Sequence, residues 1–82
     1  MEPKEGLIVR SKAGRDKGGL FVILKLENEY AYIADGDLRK VDRPKKKKLR
    51  HLQLSGHEAD LDLRSELRDR QVREALAEYS EK

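Results

Sequence analysis

Residues 7–26 read LIVRSKAGRDKGGLFVILKL, and in them a glycine-framed basic loop separates two apolar runs. The runs at residues 7–10 and 20–26 are rich in aliphatic and β-branched side chains, which is the composition of strands. Gly14 and Gly18 indicate a loop whose backbone takes positive φ angles or approaches another surface closely. We therefore predict two strands joined by this loop, with the second, apolar on both faces, as the central strand.

The sequence that follows predicts further short strands. Residues 30–34, YAYIA, alternate in polarity and predict a third strand, reached through a tight hairpin. The Asp35-Gly36 pair predicts a second hairpin and a fourth strand near residues 38–41. We expect a fifth short strand within residues 49–54.

The number of strands indicates the fold class. Four to five short strands in a chain of 82 residues favour a small closed sheet, because closure removes the exposed edges. We predict a mainly β fold, a small SH3-like barrel of four to five short strands over residues 1–55, followed by a C-terminal α-helix. The chain contains no cysteine, which excludes disulfides and thiolate metal sites, so the fold depends on packing.

A helical pattern replaces the strand pattern near the carboxyl terminus. We predict a helix over residues 69–80 and expect Asp69 to cap it. The apolar stripe is broken near residue 68, so residues 56–68 are predicted to be a linker. Four residues recur at spacings that line one face of the helix: Val72, Ala75, Leu76 and Tyr79.

Positive charge is concentrated in the first two thirds of the chain. Residues 1–55 contain fourteen Lys and Arg against eight Asp and Glu, whereas residues 56–82 contain five against eight. This distribution favours a polyanionic partner for the first part of the chain. The cations lie at two places, residues 12–18, called the basic loop, and residues 39–50, called the basic segment.

Membrane, secretory and enzymatic functions have no support in the sequence. The longest apolar run, residues 20–24, is far shorter than the roughly 20 residues of a spanning helix, and the amino terminus lacks the pattern of a secretory signal. We therefore expect a cytoplasmic protein without membrane contact. His51 and His57 are the only histidines, so no metal site is expected. No nucleophile has an evident base, and we expect no enzyme activity, no cofactor and no small-molecule substrate.

Several candidate residues have more than one interpretation. Residues 45–48, KKKK, suit a continuous basic surface, a nuclear-localisation signal, a solvated charge run, or a nonspecific binder of nucleic acid or membrane surfaces. Tyr30 and Tyr32 share one strand face, where they would stack on an unpaired base, although we favour a core or rim role. Asp16 is expected to hold the basic loop rather than to touch RNA. His51 suits a hydrogen bond that closes the barrel or a phosphate contact.

The basic loop and its flanking strands resemble the KOW family, whose motif wraps a glycine-containing loop between the first two strands of an SH3-like barrel. Residues 14–18, GRDKG, are similar to the family's Gly-basic-Asp-Lys-Gly loop. The later Asp-Gly pair, the basic segment and residues 51–55, HLQLS, look like the archaeal and eukaryotic-type large-subunit ribosomal KOW proteins, the fourteen-e type, and their short bacterial relatives. The resemblance covers residues 6–55 and implies an SH3-like barrel that binds ribosomal RNA.

We therefore predict an RNA-binding protein, ribosomal or ribosome-associated in translation, that docks on structured RNA, with ribosomal RNA as the first candidate. The alternative is a protein-interaction module of the transcription or translation machinery, with ribosomal or transcription-machinery proteins contacting the C-terminal helix. The residues predicted to contact RNA belong to the basic loop and the basic segment: Lys12, Gly14, Arg15, Lys17, Gly18, Arg39, Lys40, Arg43, Lys45, Lys46, Lys47, Lys48 and Arg50.

Overall fold

The computed structural model describes residues 2–81, so Met1 of the predicted barrel segment lies outside it. Five antiparallel strands form one sheet, and a single helix follows them. The elements are β1 (Leu7–Ser11), β2 (Leu20–Glu27), β3 (Tyr30–Ala34), β4 (Lys45–Lys48), β5 (Leu52–Glu58) and α1 (Asp69–Ser80). The prediction of a mainly β fold with a C-terminal helix is confirmed. Among the described residues, no helix is long and apolar enough to cross a membrane.

The sheet has the strand order β4-β3-β2-β1-β5 and is open. Within residues 2–81, no ladder joins β4 at one edge to β5 at the other. A 3₁₀ turn, Leu49–His51, connects these two edge strands. The register shifts between Ile23 and Lys25 where β2 pairs with β3, and it shifts again where β1 pairs with β5. Such irregularities bend a sheet, because the extra residue is left out of the ladder.

The first three strands and the helix lie where the sequence predicts them. β3 and α1 match the predicted ranges, and β2 is the central strand of the sheet. Its apolar residues are buried on both faces. On the concave face of the bent sheet they belong to one apolar cluster, and on the other face they pack against α1. The sequence therefore predicted this part of the fold correctly.

The predicted fourth strand at residues 38–41 is wrong. The carboxylate of Asp35 accepts two backbone N–H bonds, the shorter from Arg39 at 2.8 Å, and closes this segment into a compact loop. The N–H of Val41 donates to the carboxylate of Asp69 at 2.7 Å. Because these donors are already bound, the segment does not join the sheet. The fourth strand is formed instead by the lysines of β4, whose charges also protect the sheet edge from pairing with other chains.

The predicted fifth strand at residues 49–54 is correct only in its second half. Leu49–His51 forms the 3₁₀ turn, and β5 runs from Leu52 to Glu58. Residues 56–58, which were predicted to begin a linker, are therefore the end of β5. The rest of the predicted linker is irregular, and its leucines Leu61 and Leu67 pack beneath α1.

The two faces of the sheet contribute to two separate apolar clusters. The concave face holds the first cluster, in which β-strand alternation places every second residue inward. The other face packs against α1 through Ile8 and Val22 from the sheet and Val72 and Leu76 from the helix. The first cluster consists of Leu7, Val9, Phe21, Ile23, Ala31, Ile33 and Leu52.

The helix begins differently from the prediction. Arg68 is the N-cap, and its backbone N–H donates to the side-chain oxygen of Gln71 at 2.8 Å. The prediction that Asp69 caps α1 is wrong, because its carboxylate accepts the Val41 N–H instead. The first residue of the helix, Asp69, thus binds the loop that follows β3.

Candidate nucleic-acid interface

The basic loop has the backbone geometry that its glycines predict. Gly14 has a φ of 79° and Gly18 a φ of 89°, values that side chains disfavour. The loop is closed at its base, where the N–H of Ser11 donates to the carbonyl of Gly19 at 3.0 Å and the N–H of Gly18 donates to the carbonyl of Ser11 at 2.8 Å. The loop is therefore a defined hairpin tip.

Asp16 joins the basic loop to the basic segment. Its carboxylate lies 3.5 Å from the Arg39 guanidinium, 3.8 Å from the Lys47 ammonium and 4.0 Å from the Lys45 ammonium. Only 11% of the Asp16 side chain is exposed. Asp16 thus holds the basic loop against the basic segment, and the three cations around one carboxylate leave an excess of positive charge. That Asp16 does not contact RNA stays a prediction.

Lys47 has a structural position within this arrangement. Its side chain is 8% exposed, and its ammonium donates a hydrogen bond of 2.6 Å to the carbonyl oxygen of Ala13 in the basic loop. The register explains the burial, because Lys47 pairs with Ala31 and therefore points to the concave side of the sheet. A contact between Lys47 and RNA stays a prediction, and its ammonium already has partners within the protein.

Seven other predicted cations are exposed to solvent. Lys12, Arg15 and Lys17 lie on the basic loop, and Lys40, Arg43, Lys48 and Arg50 lie on the basic segment. Within residues 2–81, none of these seven makes an ion pair. The backbone N–H of Lys12 also donates to the carbonyl of His51 at 2.8 Å, which ties the loop to the end of the basic segment. The exposed cations therefore lie on two segments that are fixed to each other.

On the outer side of the sheet, Lys46 of β4 contacts residues of β2 and β3, and the sequence did not predict these contacts. Lys46 pairs with Tyr32, and its ammonium lies 4.7 Å from the ring centre of Tyr30 and 5.9 Å from that of Tyr32. The ammonium also reaches Glu27 at 3.4 Å. The nearby Tyr32 hydroxyl, followed by the hydrogen bond to Glu27, raises the pKa of Lys46 above its ordinary value.

Both tyrosines are half-buried, as a rim position requires. The ammonium of Lys25 lies 5.8 Å from the ring centre of Tyr32 on the β2 side, so cations from both neighbouring strands flank the Tyr32 ring. The strand pattern of residues 30–34 indicated that the rings share a face. The contacts of the two rings with Lys46 were not predicted, because residues 45–48 were not recognised as a strand.

The loop between β3 and β4 is fixed to α1. Gly36 has a φ of 78°, its carbonyl accepts a hydrogen bond of 2.7 Å from the Arg73 guanidinium, and a side chain at this position would collide with the carbonyl of Asp69. This attachment positions Arg39 against Asp16. It also displays Leu38, which is 83% exposed.

Comparison with known proteins assigns no family. No protein-family model matches the chain, and no curated protein matches it.

Proposed function

We propose that this chain is an RNA-binding protein that docks on structured RNA through the basic loop and the basic segment. The observation that carries the proposal is the position of Asp16, whose carboxylate brings Arg39, Lys45 and Lys47 of the basic segment against the basic loop. Two cationic segments that are distant in sequence therefore form one surface. A joint surface of this kind neutralises phosphates that lie on neighbouring strands of a folded RNA.

The free cations and the glycines of the loop have different roles in this proposal. Arg15 and Lys17 contact phosphates, because both are exposed and make no ion pair within the described residues. A Cβ at Gly18 would meet no protein atom within 4 Å, so this stretch of backbone is open to a close approach by sugar or phosphate. Recognition depends on shape and backbone, since side chains reach little of the major groove of helical RNA.

We propose further that the open sheet is the wall of an SH3-like barrel of the KOW type. The connection between its edge strands supports this, because the single turn Leu49–His51 keeps the end of β4 close to the start of β5. The register shifts in β2 and β5 bend the sheet in the way that a small barrel needs. Because residues 6–55 resemble ribosomal KOW proteins, ribosomal RNA is the first target to test. We expect the protein to act in the cytoplasm in association with the ribosome.

The proposal is tested by binding to large-subunit ribosomal RNA fragments over a salt series. The Arg15→Ala, Lys17→Ala double variant is expected to bind more weakly than the wild type and to show a shallower dependence of log affinity on log salt concentration. The slope should fall by about 0.7–0.9 for each phosphate contact removed. A double variant with wild-type affinity and slope would overturn the assignment of the basic loop.

A matched control comes from the tail of the chain. Arg64 and Arg70 are exposed cations outside the proposed surface, so the Arg64→Ala, Arg70→Ala variant removes the same charge. It should bind RNA within about twofold of wild type once the change in net charge is screened by salt. Equal weakening by both double variants would show that net charge, rather than the basic loop, determines binding.

A protein-interaction role in transcription or translation is the second candidate. The apolar stripe of α1 packs on the sheet through Val72 and Leu76, so the exposed Leu38 is the stronger candidate for a partner contact. A pull-down before and after complete RNase treatment separates the two functions. Partners that survive RNase, and are lost in a Leu38→Ser variant, favour protein interaction over RNA docking.

A further inference from the structure

A groove beside the turn between β2 and β3 is not explained by the surface described above. It has a volume of about 340 Å³, within the range of small ligand sites, which is roughly 300–1,000 Å³. Six residues line it: Asn28, Glu29, Tyr30, Lys48, Leu49 and Arg50. The groove thus lies between the turn after β2 and the far end of the basic segment.

The lining groups suit the base and the phosphate of a nucleotide. Tyr30 offers an aromatic ring, and rings of this type stack on bases without selecting a sequence. Lys48 and Arg50 are exposed cations that can bind a phosphate, and they outnumber the one carboxylate of the groove, that of Glu29. The Asn28 amide provides both a donor and an acceptor for a base edge.

The walls of the groove are held in place before any ligand binds. The N–H of Leu49 donates to the carbonyl of Glu29 at 2.8 Å, which fixes the 3₁₀ turn against the turn after β2. Asn28 has a φ of 55°, the left-handed geometry that turns the chain sharply at this point. Because the backbone of both walls is already fixed, little backbone conformational entropy is lost on binding.

We propose that this groove holds one unpaired nucleotide of the bound RNA, with its base against Tyr30 and its phosphate between Lys48 and Arg50. The nucleotide must be unpaired, because a base within a helix has both faces covered by its neighbours. This inference depends on the proposed function, since it adds a specific contact to the same RNA. It also explains why Arg50 belongs to the surface although it lies beyond the lysine run.

One end of the groove is linked to the basic loop through the backbone. Arg50 precedes His51, whose carbonyl accepts the N–H of Lys12 in the basic loop, so one strand of RNA can pass from the loop to the groove. The Lys46 ammonium also lies near the Tyr30 ring, 4.7 Å from its centre. Lys46 is exposed, so its ammonium can leave Glu27 and move to a phosphate when a base reaches the ring.

The experiment compares two RNA stem-loops that differ only in one bulged adenosine. The wild type should bind the bulged stem at least fivefold more tightly than the fully paired stem. Tyr30→Leu should weaken binding to the bulged stem by about 5- to 150-fold, the effect of one lost base stack, and should leave the paired stem unchanged. Tyr30→Phe keeps the ring and should bind both stems within about twofold of wild type.

Two further variants serve as a control outside the groove and as a second test within it. Tyr79→Leu makes the same chemical change on α1, outside the groove, and should keep the preference for the bulged stem. Lys48→Gln with Arg50→Gln changes two groove side chains that are exposed and make no ion pair within the described residues. This pair therefore tests the groove even if Tyr30→Leu fails to fold. This pair should lose the preference for the bulged stem.

The outcomes separate this inference from the function on which it depends. Equal binding of the wild type to both stems, or a wild-type preference in both Tyr30→Leu and the Lys48, Arg50 pair, would overturn the groove assignment. The docking function would stand in that case if Arg15→Ala with Lys17→Ala weakened binding to both stems. Unchanged affinity and salt dependence of that loop variant would overturn docking through the basic loop, whatever the groove variants show.

Discussion

The buried ammonium of Lys47 donates a hydrogen bond of 2.6 Å to the carbonyl oxygen of Ala13, thirty-four positions away in the sequence. This bond attaches the lysine edge strand to the basic loop from the inner side of the sheet. A lysine is rarely buried unless it is paired, and here Asp16 supplies the counter-charge at 3.8 Å. One member of the lysine run therefore has a structural role.

Lys47→Met should destabilise the protein by about 1–3 kcal/mol, because the Ala13 carbonyl and the Asp16 carboxylate lose a buried partner. Lys48→Met is the matched control. Its side chain is exposed on the other face of β4, and its effect should stay within about 0.5 kcal/mol. Urea denaturation of both variants measures the difference. Equal stability of the two variants would contradict the structural role of Lys47.

Asp16→Asn should also destabilise the fold, by about 1–2 kcal/mol, since it removes the charge that Arg39, Lys45 and Lys47 share. Asp37→Asn is the control, because Asp37 is exposed and makes no ion pair within the described residues. Thermal unfolding followed by circular dichroism reports both. If Asp37→Asn lowers the melting temperature as much as Asp16→Asn does, Asp16 does not hold the basic loop against the basic segment.

Gly36→Ala should be more harmful than Gly18→Ala. Both glycines have positive φ values, 78° and 89°, so backbone strain of about 1–2 kcal/mol is common to both substitutions. A Cβ at Gly36 also collides with the Asp69 carbonyl and lies 3.0 Å from Arg73, whereas one at Gly18 meets nothing within 4 Å. We expect a further loss of about 1–3 kcal/mol for Gly36→Ala. Chemical denaturation in parallel checks the order of the two variants.

Leu76→Ala should reduce the free energy of unfolding by about 2–4 kcal/mol, because the helix packs this side chain against the sheet. Arg70→Ala, at an exposed helix position, should change stability by less than about 0.5 kcal/mol. The same denaturation experiment serves both variants. A neutral effect of Leu76→Ala would indicate a helix that is free in solution and open to a partner.

The sequence predicted the elements whose residues have a clear local preference. The apolar run of β2, the alternation in β3 and the helical spacing of Val72 and Leu76 each specify their own conformation, and all three predictions are confirmed. The glycines of the basic loop predicted the positive φ angles at Gly14 and Gly18 for the same reason. Local stereochemistry is sufficient at these positions.

The errors lie where long-range contacts determine local structure. Residues 38–41 have the composition of a short strand, but their donors bind Asp35 and Asp69. Lysine is disfavoured in strands, yet the four lysines form β4, where Lys47 contacts Asp16 and Ala13 on the inner side of the sheet. Neither partner can be identified from the residues next to them in sequence.

The chain by itself determined the central strands, the glycine loop, the helix and the position of the positive charge, since each depends on residues close together in sequence. The folded molecule alone determined which cations pair internally and which face solvent, because that depends on how Asp16 lies relative to β4. It likewise brought Tyr30 beside Lys48 and Arg50, residues that meet only through the pairing of β3 with β4 and the 3₁₀ turn that follows. Side-chain burial and charge pairing are properties of tertiary packing, and they separate the structural lysine of β4 from the exposed ones.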